Sequence, residues 1–174
     1  SGAIAISLSK EEKNIHVTGS DISEAAIRVA EQNAAANEAD VDFLIGDMLE
    51  PFIERGFRVD ILISNPPYIP EHEQMEHSVV DYEPHVALFG GEDGLYFYRE
   101  IIKAGGGYLK PGGYLIFERA HLILKDRAMM AFEMGYDQGE RLQELAASYF
   151  PDARIEVLRD LSGKNRMLFV YINL

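Results

Sequence analysis

Apolar and polar positions along this chain fall into two alternating periods. Short apolar-rich runs that end on a polar residue are separated by stretches with helical spacing. "NIHVTGSD" predicts a strand ending on Asp21, and "SEAAIRVAEQNAAAN" predicts a helix with Ser23 as its cap. The expected apolar face of that helix is Ile22, Ala26, Val29 and Ala30. "VDFLIGD" reads as a strand ending on Asp47, and "VDILISNPPY" as one that begins at Val59 and is stopped by Pro66 and Pro67. Near-continuous apolar runs such as "ILI" suit strands covered on both faces. Further on, "DGLYFYREIIK" places Leu95, Tyr98 and Ile102 at helical spacing. "LKPGG" is a turn, "YLIFE" a strand ending on Glu118, and "GERLQELAASYF" a helix. The final two runs, "ARIEVLRD" and "NRMLFVYI", are joined by "LSGK" and predict a hairpin. Strand–helix alternation closed by a hairpin predicts an α/β fold with a mostly parallel sheet, flanked by helices, and an antiparallel C-terminal feature. The opening "SGAIAISLS" reads as the first turns of a helix, so the pattern starts one element late for a doubly wound sheet.

Composition narrows this picture. The 174 residues are expected to form one domain spanning 1–174, without repeats or linkers. No apolar run approaches the roughly 18 to 20 residues needed to span a bilayer, and nothing at the start resembles a secretory leader. The absence of cysteine removes disulfides, thiolate metal sites and thiol nucleophiles, and fits a cytoplasmic protein. Only 16 basic residues stand against 29 acids, for a net charge of -13. The basic residues are scattered singly, which disfavours a nucleic-acid partner.

The candidate chemistry sits at the predicted strand ends, because open α/β sheets bind ligands at the carboxyl ends of their strands. A carboxylate in the position of Asp21 can accept hydrogen bonds from both hydroxyls of a ribose. Asp47 can meet an adenine amine, with Met48 covering a ring face. The plainer reading is that Asp21 caps a helix and Asp47 opens a turn. "NPPY" is the sharpest signal. Two prolines end the strand and stiffen the backbone, leaving the Asn65 side-chain carbonyl and a proline carbonyl free to accept hydrogen bonds. Such a pair fits a planar –NH2 group, whose delocalised lone pair makes it a poor nucleophile unless it is held and polarised. Tyr68 can stack on the flat group. The bland alternative is a proline-stiffened loop. Immediately downstream, "HEQMEH" mimics a metal motif. His72 and His77 stand five positions apart, however, where the zinc-protease helix needs four. A metal site is therefore not expected. "YEPHVALFGGEDG", from Tyr82 to Gly94 and including Glu83, is a long loop read as a lid or substrate-contact segment, or otherwise as a packed crossing.

With "SGAIAIS", "DIS", "GDM", "NPPYI", "YEPHVAL", "LKPGGYLIFE", "GYDQGE" and "RDLSGKNR" in this order, nearly the whole chain resembles the HemK/PrmC family of protein-glutamine methyltransferases. The resemblance implies a Rossmann-like class I methyltransferase fold and S-adenosylmethionine as cofactor. It also implies methylation of the glutamine side-chain amide in the Gly-Gly-Gln motif of a peptide chain release factor. On this resemblance Ser1 and Gly2 end the glycine-rich cofactor loop, Asp21 holds the ribose, and Asp47 and Met48 border the adenine. Asn65, Pro66, Pro67 and Tyr68 embrace the substrate glutamine, Asn65 also faces the cofactor, and Glu83 contacts the substrate.

Two departures from the family pattern stand out. Members carry a helical amino-terminal domain, a strand and "D-x-G-x-G" ahead of the point where this sequence starts. They also run from "LIFE" almost directly into "GYDQGE", whereas Arg119 to Glu133 intervene here. The intervening segment is expected either to occupy the space of the strand that is not seen or to add a helix at a sheet edge. Two other functions fit the same residues. One is a methyltransferase for the amine of adenine in DNA or RNA, against which the acidic charge speaks. The other is a non-catalytic binding module built on the same fold.

Overall fold

A computed structural model of the chain describes residues 1–73, 87–103, 108–109, 115–116 and 124–174. His77, Glu83, most of the "LKPGG" turn and the last residues of "YLIFE" lie outside the described residues. The chain divides into two compact units, Ser1–Gly56 and Phe57–Leu174.

The first unit contains helix α1 (Ala3–Glu11), strand β1 (Thr18–Asp21), helix α2 (Glu24–Ala36), strand β2 (Asp42–Ile45) and a short helix α3 (Glu50–Glu54) that the sequence pattern did not reveal. β1 and β2 pair in parallel, Thr18 with Asp42 through Asp21 with Ile45, and α2 makes the crossover between them. Ser23 caps α2 as expected, its hydroxyl accepting from the Ala26 N–H at 3.3 Å. The buried face of α2 differs from the expected one. Ile27, Ala30 and Ala34 are buried, whereas Ile22 and Val29 are exposed. Both sets fit a helical period, so periodicity left the choice to contacts made elsewhere. Gly2 lies against this face. A Cβ there would come within 2.9 Å of the Ala30 Cβ and 3.2 Å of the Phe43 ring.

In the second unit, strand β3 (Val59–Ser64) leads into "NPPY", and helix α4 (Tyr96–Lys103) buries Leu95 at its start together with Tyr98, Ile101 and Ile102. Two-residue strands β4 (Tyr108–Leu109) and β5 (Leu115–Ile116) pair antiparallel with each other. Strand β6 (Leu124–Glu133), helix α5 (Gly139–Tyr149) and the strands β7 (Arg154–Arg159) and β8 (Asn165–Ile172) complete it. The sheet order is β3-β6-β8-β7, with β3 and β6 parallel and the hairpin antiparallel.

The strand beside β3 comes from a segment that the sequence pattern did not read as a strand. "YLIFE" contributes β5 to a separate two-stranded sheet, whereas the segment expected as an insertion supplies β6, with β3 on one side and β8 on the other. An added edge helix is ruled out for residues 124–133. The reason lies in the contacts made at the end of β6. This strand runs straight into the turn before α5, where the Met134 N–H donates to the Arg166 carbonyl at 3.0 Å. At its last residue the Tyr98 hydroxyl donates to the Glu133 carbonyl at 2.6 Å. Alternate residues Ala128, Met130 and Phe132 are each at most 1% exposed, and Phe132 meets Tyr98 edge-on with centroids 5.9 Å apart. A strand's partners are set by the turns and helices contiguous with it, and those belong to 124–133.

Candidate functional site

At the carboxyl end of β1 the backbone of Asp21 accepts from the Gly46 N–H at 3.1 Å, extending the parallel pairing one step beyond β2. The chain then turns, and the Ser20 hydroxyl donates to the Met48 carbonyl at 3.2 Å. Asp21, Asp47 and Met48 are thereby drawn to the same end of the β1–β2 pair. Met48 takes a left-handed backbone (φ 41°), which costs a non-glycine residue roughly 1 kcal/mol or more and marks a conformation imposed by its surroundings. One Asp21 oxygen accepts from the Ser23 N–H at 2.9 Å, and its second oxygen has no protein partner among the described residues. That carboxylate therefore braces the turn leading to the Ser23 cap and still offers an acceptor. Asp47 is exposed and Met48 half-buried.

Ser1 and Gly2 make other contacts. The Ser1 carbonyl accepts from the Asn33 side chain at 2.9 Å, and Gly2 packs on Ala30 and Phe43 with φ 71°. Among the described residues no hydrogen bond links them to Asp21, Asp47 or Met48.

In the second unit Asn65 follows directly on β3. Its side chain is exposed and without a protein partner among the described residues, whereas Pro66 is buried and Pro67 and Tyr68 are half-buried. Beyond the prolines the backbone is held firmly. The Ile69 N–H donates to the Leu88 carbonyl at 3.1 Å, the Gly90 N–H to the Ile69 carbonyl at 2.9 Å, and the Glu71 N–H to the Gly91 carbonyl at 3.1 Å. Two glycines permit this approach. A Cβ on Gly90 would stand 2.6 Å from the Pro67 carbonyl oxygen, and one on Gly94 would overlap the Tyr68 carbonyl. The result is a rigid turn that presents an uncommitted amide side chain at its start.

Sequence reasoning assigned no role to three residues around this turn. Asp93 accepts from Arg99 through both guanidinium nitrogens, at 2.9 and 2.5 Å, and from Arg141 at 2.6 Å. The Arg99 hydrogen bonds, opposed by partial burial and aided by the Leu95 N–H and the charges of both arginines, hold its carboxyl far below the usual carboxylate range. The two arginines tie the Gly90–Gly94 segment to α4 and α5. Gln138, just before α5, is buried at 4% exposure and donates to the Tyr68 carbonyl at 2.9 Å. "GYDQGE" carried this signal, but a glutamine before a helix reads locally as a cap. Tyr98 is held neutral, its phenol pKa raised by burial first and by the nearby Tyr68 and Glu133 next. Among the described residues no group of His, Asp and Glu is arranged to hold a metal, and no helix is long and apolar enough to cross a membrane.

A parallel β–α–β unit with polar groups at its strand ends, and a sheet strand terminating in "NPPY", fit the α/β fold of class I methyltransferases. A family model described as "Methyltransferase small domain" matches residues 1–82. The fold resembles that of a methyltransferase from Pyrococcus furiosus, with a TM-score of 0.67 at 15% identity, covering 99% of this chain and 70% of that one. At the level of sequence, the release factor glutamine methyltransferase of Bacillus anthracis is 43% identical over 99% of this chain. The protein of the same description from Bacillus subtilis is 39% identical over the same share. Along nearly its whole length the chain is similar to release factor glutamine methyltransferases, and it spans 56% of the length of each of these two relatives.

Proposed function

We propose that this chain is the part of a protein-glutamine N-methyltransferase that binds S-adenosylmethionine and holds the side-chain amide of the Gly-Gly-Gln glutamine of a peptide chain release factor. The reading takes residues 1–174 as one methyltransferase domain working in the cytoplasm beside its protein substrate. It rests above all on Asn65, an uncommitted side-chain acceptor at the mouth of a proline-stiffened turn.

The donor set in the first unit fits the cofactor. The second oxygen of Asp21 is available to ribose hydroxyls, Asp47 to the adenine amine, and the Met48 side chain to a ring face. Ser1 and Gly2, at the start of α1, would border the cofactor through backbone groups. S-adenosylmethionine supplies an electrophilic methyl group on a sulfonium. The chain's own residues prepare the nucleophile. The Asn65 carbonyl and the Pro66 backbone carbonyl accept the two N–H bonds of the glutamine amide, orienting its nitrogen and stabilising positive charge as it develops there. Pro67 fixes the turn, Tyr68 flanks the planar group, and Glu83 contacts the substrate. An alkylated amide nitrogen is strongly acidic, so its proton passes to water without a dedicated base.

The test is transfer of labelled methyl groups to a release factor, with the factor's Gly-Gly-Gln glutamine replaced by alanine as the control. Asn65→Ala should abolish labelling of the intact factor, and Asp21→Ala should weaken cofactor binding measured by calorimetry. Labelling of adenine in DNA or RNA instead would favour the nucleic-acid reading. Cofactor-independent binding of the factor without transfer would mark a non-catalytic module.

A further inference from the structure

Gln138 is the buried polar residue of the described core, and it lies 70 positions from Tyr68 in sequence. Its Nε2 donates to two backbone carbonyls, Tyr68 at 2.9 Å and Gly94 at 3.3 Å. Its Oε1 accepts from the Gly135 N–H at 2.9 Å. Both amide donors and the carbonyl are thus engaged in a site with almost no water. The two carbonyls belong to the segment that leaves "NPPY" and to the segment that crosses it. Gly90 and Gly94 let these segments pass close enough for one side chain to bind both.

We propose that Gln138 is a positioning residue for methyl transfer: it fixes the exit of the "NPPY" turn so that the Asn65 and Pro66 carbonyls are held at the spacing an amide –NH2 requires. The inference rests on the reading of Asn65 and Pro66 as the acceptors of the glutamine amide. Tyr68 is three residues past Asn65, and two prolines between them transmit any displacement with little slack. Only a side chain with two donors and an acceptor satisfies all three backbone groups. An ionised carboxylate there would face two carbonyl oxygens, and an apolar isostere would leave three buried polar groups unpaired.

The experiment compares the full chain with Gln138→Met, Gln138→Glu and Asn65→Ala, at a temperature where circular dichroism finds all of them folded. Gln138→Met is expected to lower kcat toward the release factor by about tenfold to a hundredfold, as loss of orientation does, while KM for S-adenosylmethionine stays put. Gln138→Glu should recover part of its loss as the pH falls, because a protonated carboxyl regains a donor for the Tyr68 carbonyl. A purely structural glutamine would shift only the melting temperature. A kcat for Gln138→Met within about twofold of the parent, alongside a crippled Asn65→Ala, overturns the inference and spares the reading beneath it. Parent-like activity in Asn65→Ala overturns that reading instead. Amide exchange decides the positioning claim even if the chain transfers no methyl group. Gln138→Met must speed exchange at Ile69 and Gly90 while leaving β7 and β8 unchanged, and unaltered exchange at Ile69 and Gly90 overturns it.

Discussion

Replacing Phe132 with alanine tests the assignment of β6 as the inner strand of the second unit. The ring is fully buried, stands between Ser64 of β3 and Leu168 of β8 in the pairing, and meets Tyr98 edge-on at an interplanar angle of 77°. Truncating a buried phenylalanine to alanine costs about 3–5 kcal/mol through lost transfer energy and the cavity left behind. About 0.5–1.5 kcal/mol of that belongs to the edge-to-face contact. Against a typical stability of roughly 5–15 kcal/mol, this is a large fraction of the whole. For a chain of this length it should lower the melting temperature by about 6–20 °C. Urea unfolding monitored by far-ultraviolet circular dichroism measures the loss, and amide exchange localises it to β6 and β8. The sequence pattern alone would put the corresponding weight on Phe117 of "YLIFE". A large loss for Phe117→Ala with Phe132→Ala within about 0.5 kcal/mol of the parent would refute the strand assignment.

The turn beside "NPPY" supports two further predictions. Gly94 combines φ 72° with an overlap between any Cβ and the Tyr68 carbonyl, whereas Gly56 has φ 65° and open space around it. Gly94→Ala should therefore cost about 2–5 kcal/mol, the sum of left-handed strain and overpacking, and Gly56→Ala only about 1–2 kcal/mol. Equal losses in the two denaturation curves would contradict the close-approach argument. The depressed pKa of Asp93 predicts a pH dependence as well. The group's contribution to stability is fully present above its unfolded value of 3.8 and is lost as pH falls through the lower folded value. Parent and Asp93→Asn should thus differ most at neutral pH and converge progressively below about pH 4. A stability gap that persists unchanged at pH 2 would mean that Arg99 and Arg141 are not what hold the carboxylate.

The sequence by itself determined whatever depends on near neighbours. Ser23 announces the start of α2, Pro66 and Pro67 end β3, and "LSGK" joins the final hairpin, because capping, the missing proline N–H and turn formation act over a few residues. The strand ends were legible to within two residues for the same reason: Asp21 closes β1 and Asn65 follows β3 directly, whereas β2 stops at Ile45, two residues before the expected Asp47. Three features were decided only by tertiary structure. The apolar face of α2 settled on Ile27, Ala30 and Ala34 rather than Ile22 and Val29, because neighbouring packing, including Gly2 against Ala30, selects between stripes that are periodic alike. "YLIFE" has the stronger strand composition, yet "RAMMAFE" forms the inner strand, because Glu133 leads directly into the turn that anchors Arg166, Tyr98 and α5. Gln138 gains its place through carbonyls at Tyr68 and Gly94, far away along the chain, and no local rule weighs a hydrogen bond across that separation.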